Sequence, residues 1–170
     1  EGFGGWSAAN FLLTERIGEN TNPFYNPAPE IKRFDFAYYM SNHPECRPDF
    51  VILNLGMNDR YSVRSTEYLN AIVASIHAYD PNIAVLVLTE YYTGRTTAYA
   101  DNVVARQSAA YLKRLSTVFD GRESEKIWLL PNYLSVDPTA DFADAAHLSS
   151  DGYAHEADVI ATYLTDLFGT

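Results

Sequence analysis

Asp144 and His147 stand three residues apart in Asp144-Ala-Ala-His147-Leu-Ser-Ser-Asp151-Gly152-Tyr153, a spacing that lets a carboxylate meet an imidazole. Nucleophilic catalysis uses such a pair. The carboxylate accepts from one ring nitrogen and fixes the tautomer, so the other nitrogen is left to take a proton from a hydroxyl. Asp141 and Asp151 are near enough in sequence to be the orienting acid instead. Far upstream, Asn58 lies at the end of Asp49-Phe-Val-Ile-Leu-Asn-Leu-Gly56-Met-Asn58-Asp59. Its side-chain amide is a neutral donor that needs no titration, the kind of group an oxyanion requires. The same residues also suit a plain strand-end turn, with Asp59 as a structural acid fixing the Asn58 loop.

These residues need elements to hold them. The apolar run over 50–55, closed by Gly56, predicts a strand buried on both faces in a parallel sheet, with Asn58 just beyond its carboxyl end, where ligands of open α/β sheets collect. Apolar residues at helical spacing predict a helix over 65–79, stopped by Asp80-Pro81-Asn82. A second buried strand follows over 83–88, then a helix over about 100–119, a third strand over 126–130, an acid-bearing loop to residue 146, and a helix over about 153–168. This alternation is the pattern of α/β layering with right-handed crossovers, in one domain spanning residues 1–170.

The chain opens with Gly2, Gly4 and Gly5 ahead of Ser7, read as the cap of a helix that begins about Ala8 and carries Phe11, Leu12 and Ile17. The Gly spacing and the lack of Lys argue against a nucleotide loop, and a backbone N–H lent to a site is the better role. The 19–30 segment, rich in Pro and Asn, reads as an irregular excursion, and a short helix follows over 34–41.

Composition bounds the partners. Twelve basic against 22 acidic residues give a net charge of −10 with no cationic cluster, which argues against nucleic acid or an anionic membrane as partner. A lone cysteine, Cys46, excludes an internal disulfide and supports no thiolate metal site. No apolar run approaches the roughly 18 residues of a membrane span. His43, His77 and His155 read as surface or packing residues. The sequence does not fix the compartment.

Taken together, these blocks resemble the SGNH hydrolase superfamily, the GDSL-like lipases and acylhydrolases. Residues 1–6 look like its Gly block, with Gly5 the functional glycine and Gly4 the neighbouring alternative. Gly56-Met57-Asn58-Asp59 is similar to its Asn block, and Asp144-Ala-Ala-His147 to its last block. The resemblance implies a three-layer α/β/α fold with a flavodoxin-like parallel sheet. It also implies a serine esterase with His147 as base, Asp144 as orienting acid, Asn58 and Gly5 as oxyanion donors, and no metal or organic cofactor. The Gly-Asp-Ser block that supplies the nucleophile has no counterpart here. The expectation is therefore a C-terminal piece of a larger domain, without its first strand, whose Ser comes from an upstream segment or a second chain. Ser7, Ser62, Ser149 and Ser150 are the hydroxyls that could be reassigned, but Ser7 reads as a cap and Ser149 and Ser150 as a turn. Trp6, Tyr91 and Tyr92 would suit stacking on sugar rings, which favours an O-acylated carbohydrate among possible small-molecule esters. The rival expectations are a catalytically inactive module that binds a glycan or protein partner, and a flavodoxin-like ligand-binding domain.

Overall fold

Strand β6 (Ala84–Leu88) is buried at all five positions and forms the centre of a parallel sheet. It pairs with β5 (Phe50–Leu53) on one side and β7 (Ile127–Leu130) on the other. The chain is described by a computed structural model over residues 4–56, 58–59, 62–89, 103–144 and 147–169. Register puts Val51, Val85 and Ile127 in one row and Leu53, Val87 and Leu129 in the next, all on one face of the pleat. That face packs on α3 (Ser65–Tyr79) through Leu69, Ile72, Val73 and Ile76, and on α4 (Val103–Phe119) through Tyr111, Leu115 and Phe119. Each such buried aliphatic side chain contributes roughly 1.5–3 kcal/mol. The opposite face is crossed by α5 (Ser150–Phe168), whose Phe168 stacks on Phe50 at 6.3 Å and meets Trp128 edge-on at 5.6 Å. The result is the expected α/β/α layering.

The strand over 50–55 departs from expectation. It ends at Leu53, and Phe50 is 43% exposed where burial on both faces was expected. The cause is topological: among the described residues β5 is an edge strand, and β6 alone has neighbours on both sides. Beside that open edge runs an apolar trough of about 210 Å³, lined by Phe11, Phe24, Phe36, Val51, Leu53 and Ile72.

Ahead of the sheet, α1 (Ala8–Leu13) stops before Ile17. The Asn22 side-chain amide takes the carbonyls of Phe11 at 2.8 Å and Thr14 at 3.1 Å, satisfying the helix end there. Ile17 instead belongs to a small hairpin, β1 (Arg16–Ile17) with β2 (Asn20–Thr21), and a second pairs β3 (Tyr25–Asn26) with β4 (Arg33–Phe34). The 19–30 segment is thus more regular than its composition suggests. Phe24 stacks on Tyr39 at 4.1 Å and Phe34 at 5.0 Å, so it packs on the body. Helix α2 (Phe36–Asn42) starts two residues later than expected because Asp35, not an earlier residue, accepts the Tyr38 N–H as its cap.

Helix α5 begins at Ser150, ahead of the expected Tyr153, because the Ser149 hydroxyl caps it by accepting the Gly152 N–H at 3.1 Å. Gly152 therefore lies inside the first turn. A Cβ there would overlap the Asp141 carbonyl oxygen and come within 2.9 Å of Asp141 Cβ. The glycine is kept for that close approach and not as a helix breaker. Gly152→Ala would gain about 1 kcal/mol from helix propensity alone. The overlap predicts the opposite sign, a loss of about 1–3 kcal/mol in urea unfolding, and a stabilised variant would contradict this packing.

Candidate functional site

Two neighbouring side chains after β5 reach back to the start of the chain. The loop leaves the strand through Gly56, where a Cβ would stand 3.0 Å from the Tyr111 ring, so only glycine fits without displacing that buried tyrosine. A turn closed by the Asp59 N–H on the Gly56 carbonyl, at 2.8 Å, then presents Asn58 and Asp59 in opposite environments. Asp59 is 1% exposed and accepts the Ala8 N–H at 2.8 Å, at the head of α1. Burial pushes its carboxyl above the usual range, against the opposing pull of the Ala8 and Ala9 N–H groups. Asn58 is exposed, and its Nδ2 donates to the Trp6 carbonyl at 3.2 Å. A primary amide has two N–H groups, so that bond leaves one for a ligand.

The stretch thus held is the glycine loop. Gly5 is exposed with φ +79°, a left-handed conformation that a side chain would strain. Ser7 caps α1 as expected, in a reciprocal box with Asn10: its hydroxyl accepts the Asn10 N–H at 3.2 Å, and its backbone N–H donates to Asn10 Oδ1 at 2.9 Å. Its neighbour differs from expectation. The Trp6 ring is 4% exposed and packs edge-on against Phe11 at 5.2 Å, so it is core and offers no face to a sugar. Tyr91 and Tyr92 lie outside the described residues.

The second half of the site follows β7. Phe142 bridges Leu148, and the Ala143 N–H donates to the His147 carbonyl at 2.9 Å, closing a tight loop. Within it, His147 Nδ1 lies 2.8 Å from Asp144 Oδ2 and 3.0 Å from Oδ1, and the His147 N–H donates to Asp144 Oδ1 at 2.8 Å. The carboxylate therefore fixes ring and backbone together, through Nδ1 and the backbone N–H. Both side chains are exposed, so the pair adds little to stability and its geometric effect is the larger one.

Because the sheet is parallel, the loops that leave β5 and β7 emerge at the same end, about 10 Å apart across β6. A polar bridge ties those strand ends directly. Buried Glu156 of α5 accepts from Asn132 Nδ2, just after β7, at 2.5 Å, and from Asn54 Nδ2, just after β5, at 3.5 Å. Asn54 interrupts the apolar run of the sequence, and this contact accounts for it. The sequence also gave no sign that His155, read as a surface or packing residue, sits 3.1 Å from the Asp141 carboxylate. Asp141, weighed as an alternative partner for His147, is engaged there instead.

Among the described residues, no group of His, Cys, Asp or Glu could hold a metal ion, and no helix is long and apolar enough to cross a membrane. No family model and no curated protein matches the chain. The crystal structure of a candidate acylhydrolase from Bacteroides fragilis NCTC 9343 is similar to it, with a TM-score of 0.56 at 18% identity over 78% of this chain and 71% of that one. That likeness defines the class of architecture, an acylhydrolase-like α/β/α fold.

The raised carboxyl of Asp59 makes a signed prediction. A folded-state value above the unfolded one contributes stability below the unfolded pKa, and that contribution is lost as pH rises through the folded pKa. Asp59→Asn keeps an acceptor for Ala8 without the charge. The variant's Tm relative to wild type should rise as pH increases above about 4, the ordinary carboxyl value. A fall over that range would mean that the Ala8 and Ala9 donors outweigh desolvation.

Proposed function

We propose that this chain belongs to a serine-dependent ester hydrolase of the SGNH type. The observation that carries the reading is the Asp144–His147 contact, 2.8 Å at Nδ1, on the same end of the parallel sheet as the exposed Asn58 amide. His147 takes the proton of a seryl hydroxyl through Nε2, and the resulting alkoxide attacks the ester carbonyl. Asp144 holds the imidazolium so formed. The carbonyl oxygen, now negative, is received by the Asn58 N–H not used on Trp6 and by the Gly5 backbone N–H, each worth on the order of 3 kcal/mol in the transition state. The imidazolium returns its proton to the departing alcohol, and water repeats the attack on the acyl-enzyme with His147 again as base. Every proton in the cycle passes through one ring nitrogen, so no metal or organic cofactor is required.

The nucleophilic serine lies outside these 170 residues, upstream or on a second chain. Two observations support that part of the reading. Of the four serines weighed, Ser7 and Ser149 serve as helix caps, Ser62 accepts the Arg64 N–H at 3.3 Å, and Ser150 is the first residue of α5. The open edge of β5, with its apolar trough, is the kind of surface that an additional strand would complete. The substrate class we favour is an O-acylated carbohydrate, with Tyr91 and Tyr92 as the remaining aromatic candidates and Trp6 withdrawn.

The full-length protein should release p-nitrophenol from p-nitrophenyl acetate. A fluorophosphonate should label a serine outside residues 1–170, and His147→Ala should lower kcat by about 10⁴-fold or more. Turnover unaffected by His147→Ala would overturn the assignment. Absence of turnover in the intact protein would leave a binding module built on the same fold.

A further inference from the structure

Beside the Asp144–His147 pair, the same loop makes a second carboxylate–imidazole contact. Asp141 is 4% exposed, and both of its carboxylate oxygens lie 3.1 Å from Nδ1 of His155, in the second turn of α5. Its Oδ2 also accepts the Asp137 N–H at 2.7 Å. Its carbonyl accepts from the Ser149 N–H at 2.7 Å and from the Ser149 hydroxyl at 3.1 Å, and its backbone fills the space that Gly152 leaves open. The segment that carries Asp144 and His147 begins at this residue and returns to it at Ser149.

We infer that His155 is a positioning residue: by gripping Asp141 it fixes residues 141–144 and 147–149 against α5 and so sets where the imidazole of His147 is presented. The catalytic consequence rests on the hydrolase reading, whereas the structural grip does not. A protonated His155 grips hardest. Hydrogen bonding and charge from Asp141 hold its pKa above the usual imidazole value, with Asp151 and Asp158 of α5 acting in the same direction and desolvation opposing. Asp141 is held below the usual carboxylate range, first by the Asp137 N–H and then by His155, while the charge of Asp137 acts the other way. A raised histidine pKa contributes stability in full below the unfolded value, and loses it as pH rises through the folded one. Above that point the neutral ring still donates Nδ1–H, so the grip weakens without vanishing.

The test uses the full-length protein with His155→Ala and His155→Asn, the latter keeping a donor near the position of Nδ1. Two readouts are needed, kcat and KM on p-nitrophenyl acetate and amide-exchange protection of Ala143 and Ser149. His155→Ala should lower kcat about 10- to 100-fold with KM little changed, because misplacing a base costs rate more than binding, and His155→Asn should recover much of the loss. Protection at Ala143 and Ser149 should fall in His155→Ala, more at about pH 5 than at about pH 9, while that of β6 stays unchanged. Unchanged kcat with unchanged protection would overturn the proposal. If the wild-type protein hydrolyses no ester, the hydrolase reading fails, and the protection factors alone decide whether His155 grips the loop.

Discussion

A buried carboxylate joins the beginning of this chain to its sheet. Asp59 has almost no contact with solvent, and its ionised form is disfavoured there, yet it takes the backbone N–H at the head of α1. Next to it, Asn58 takes the carbonyl of Trp6. Two adjacent residues at the end of β5 thus hold the segment from Gly5 to Ala8, far away in sequence. With the packing of Trp6 and Ala8 in the core, that link fixes the glycine loop relative to the strand end and gives the proposed oxyanion donors a common frame. A neutral partner could make the same hydrogen bond at lower desolvation cost.

The second constraint is the polarity of the sheet. Parallel strands deliver their following loops to one end, so the Asn58 loop and the Asp144–His147 loop share that end as a consequence of topology. Glu156 reinforces it by accepting amides from both strand ends, and Asp141 secures the loop after β7 to the helix that follows. The exposed Asp144–His147 pair is therefore weak as a stabilising contact but is carried by a well-anchored backbone. That division, anchoring in buried groups and chemistry in exposed ones, is how a site keeps its geometry while remaining open to substrate.

Much of this was legible in the sequence because it is written in local terms. The helix over 65–79 was readable from its apolar spacing and its Asp80-Pro81 stop, the Ser7 cap from its place before Ala8, and the Asp144–His147 contact from a three-residue offset. What escaped depends on distant partners. The exposure of β5 follows from its place at the sheet edge, which no periodicity reports. The end of α1 was misplaced because Asn22, which takes its last carbonyls, comes from beyond the helix. The Asp141–His155 contact spans a loop and a helix turn and left no spacing to recognise. Trp6 beside the glycine loop suggested a stacking platform, but the ring turns inward because Phe11 and the core outcompete solvent for its surface.

The central claim is that the loops after β5 and β7 serve one acyl carbonyl. The most direct measurement is a crystal structure of the full-length protein after reaction with a fluorophosphonate, whose tetrahedral phosphorus mimics the acyl intermediate. The account predicts the phosphoryl oxygen within hydrogen-bond distance of Asn58 Nδ2 and the Gly5 N–H, with His147 Nε2 against the seryl oxygen. An adduct whose phosphoryl oxygen lies away from Asn58, or whose serine stands beyond reach of His147, would contradict it.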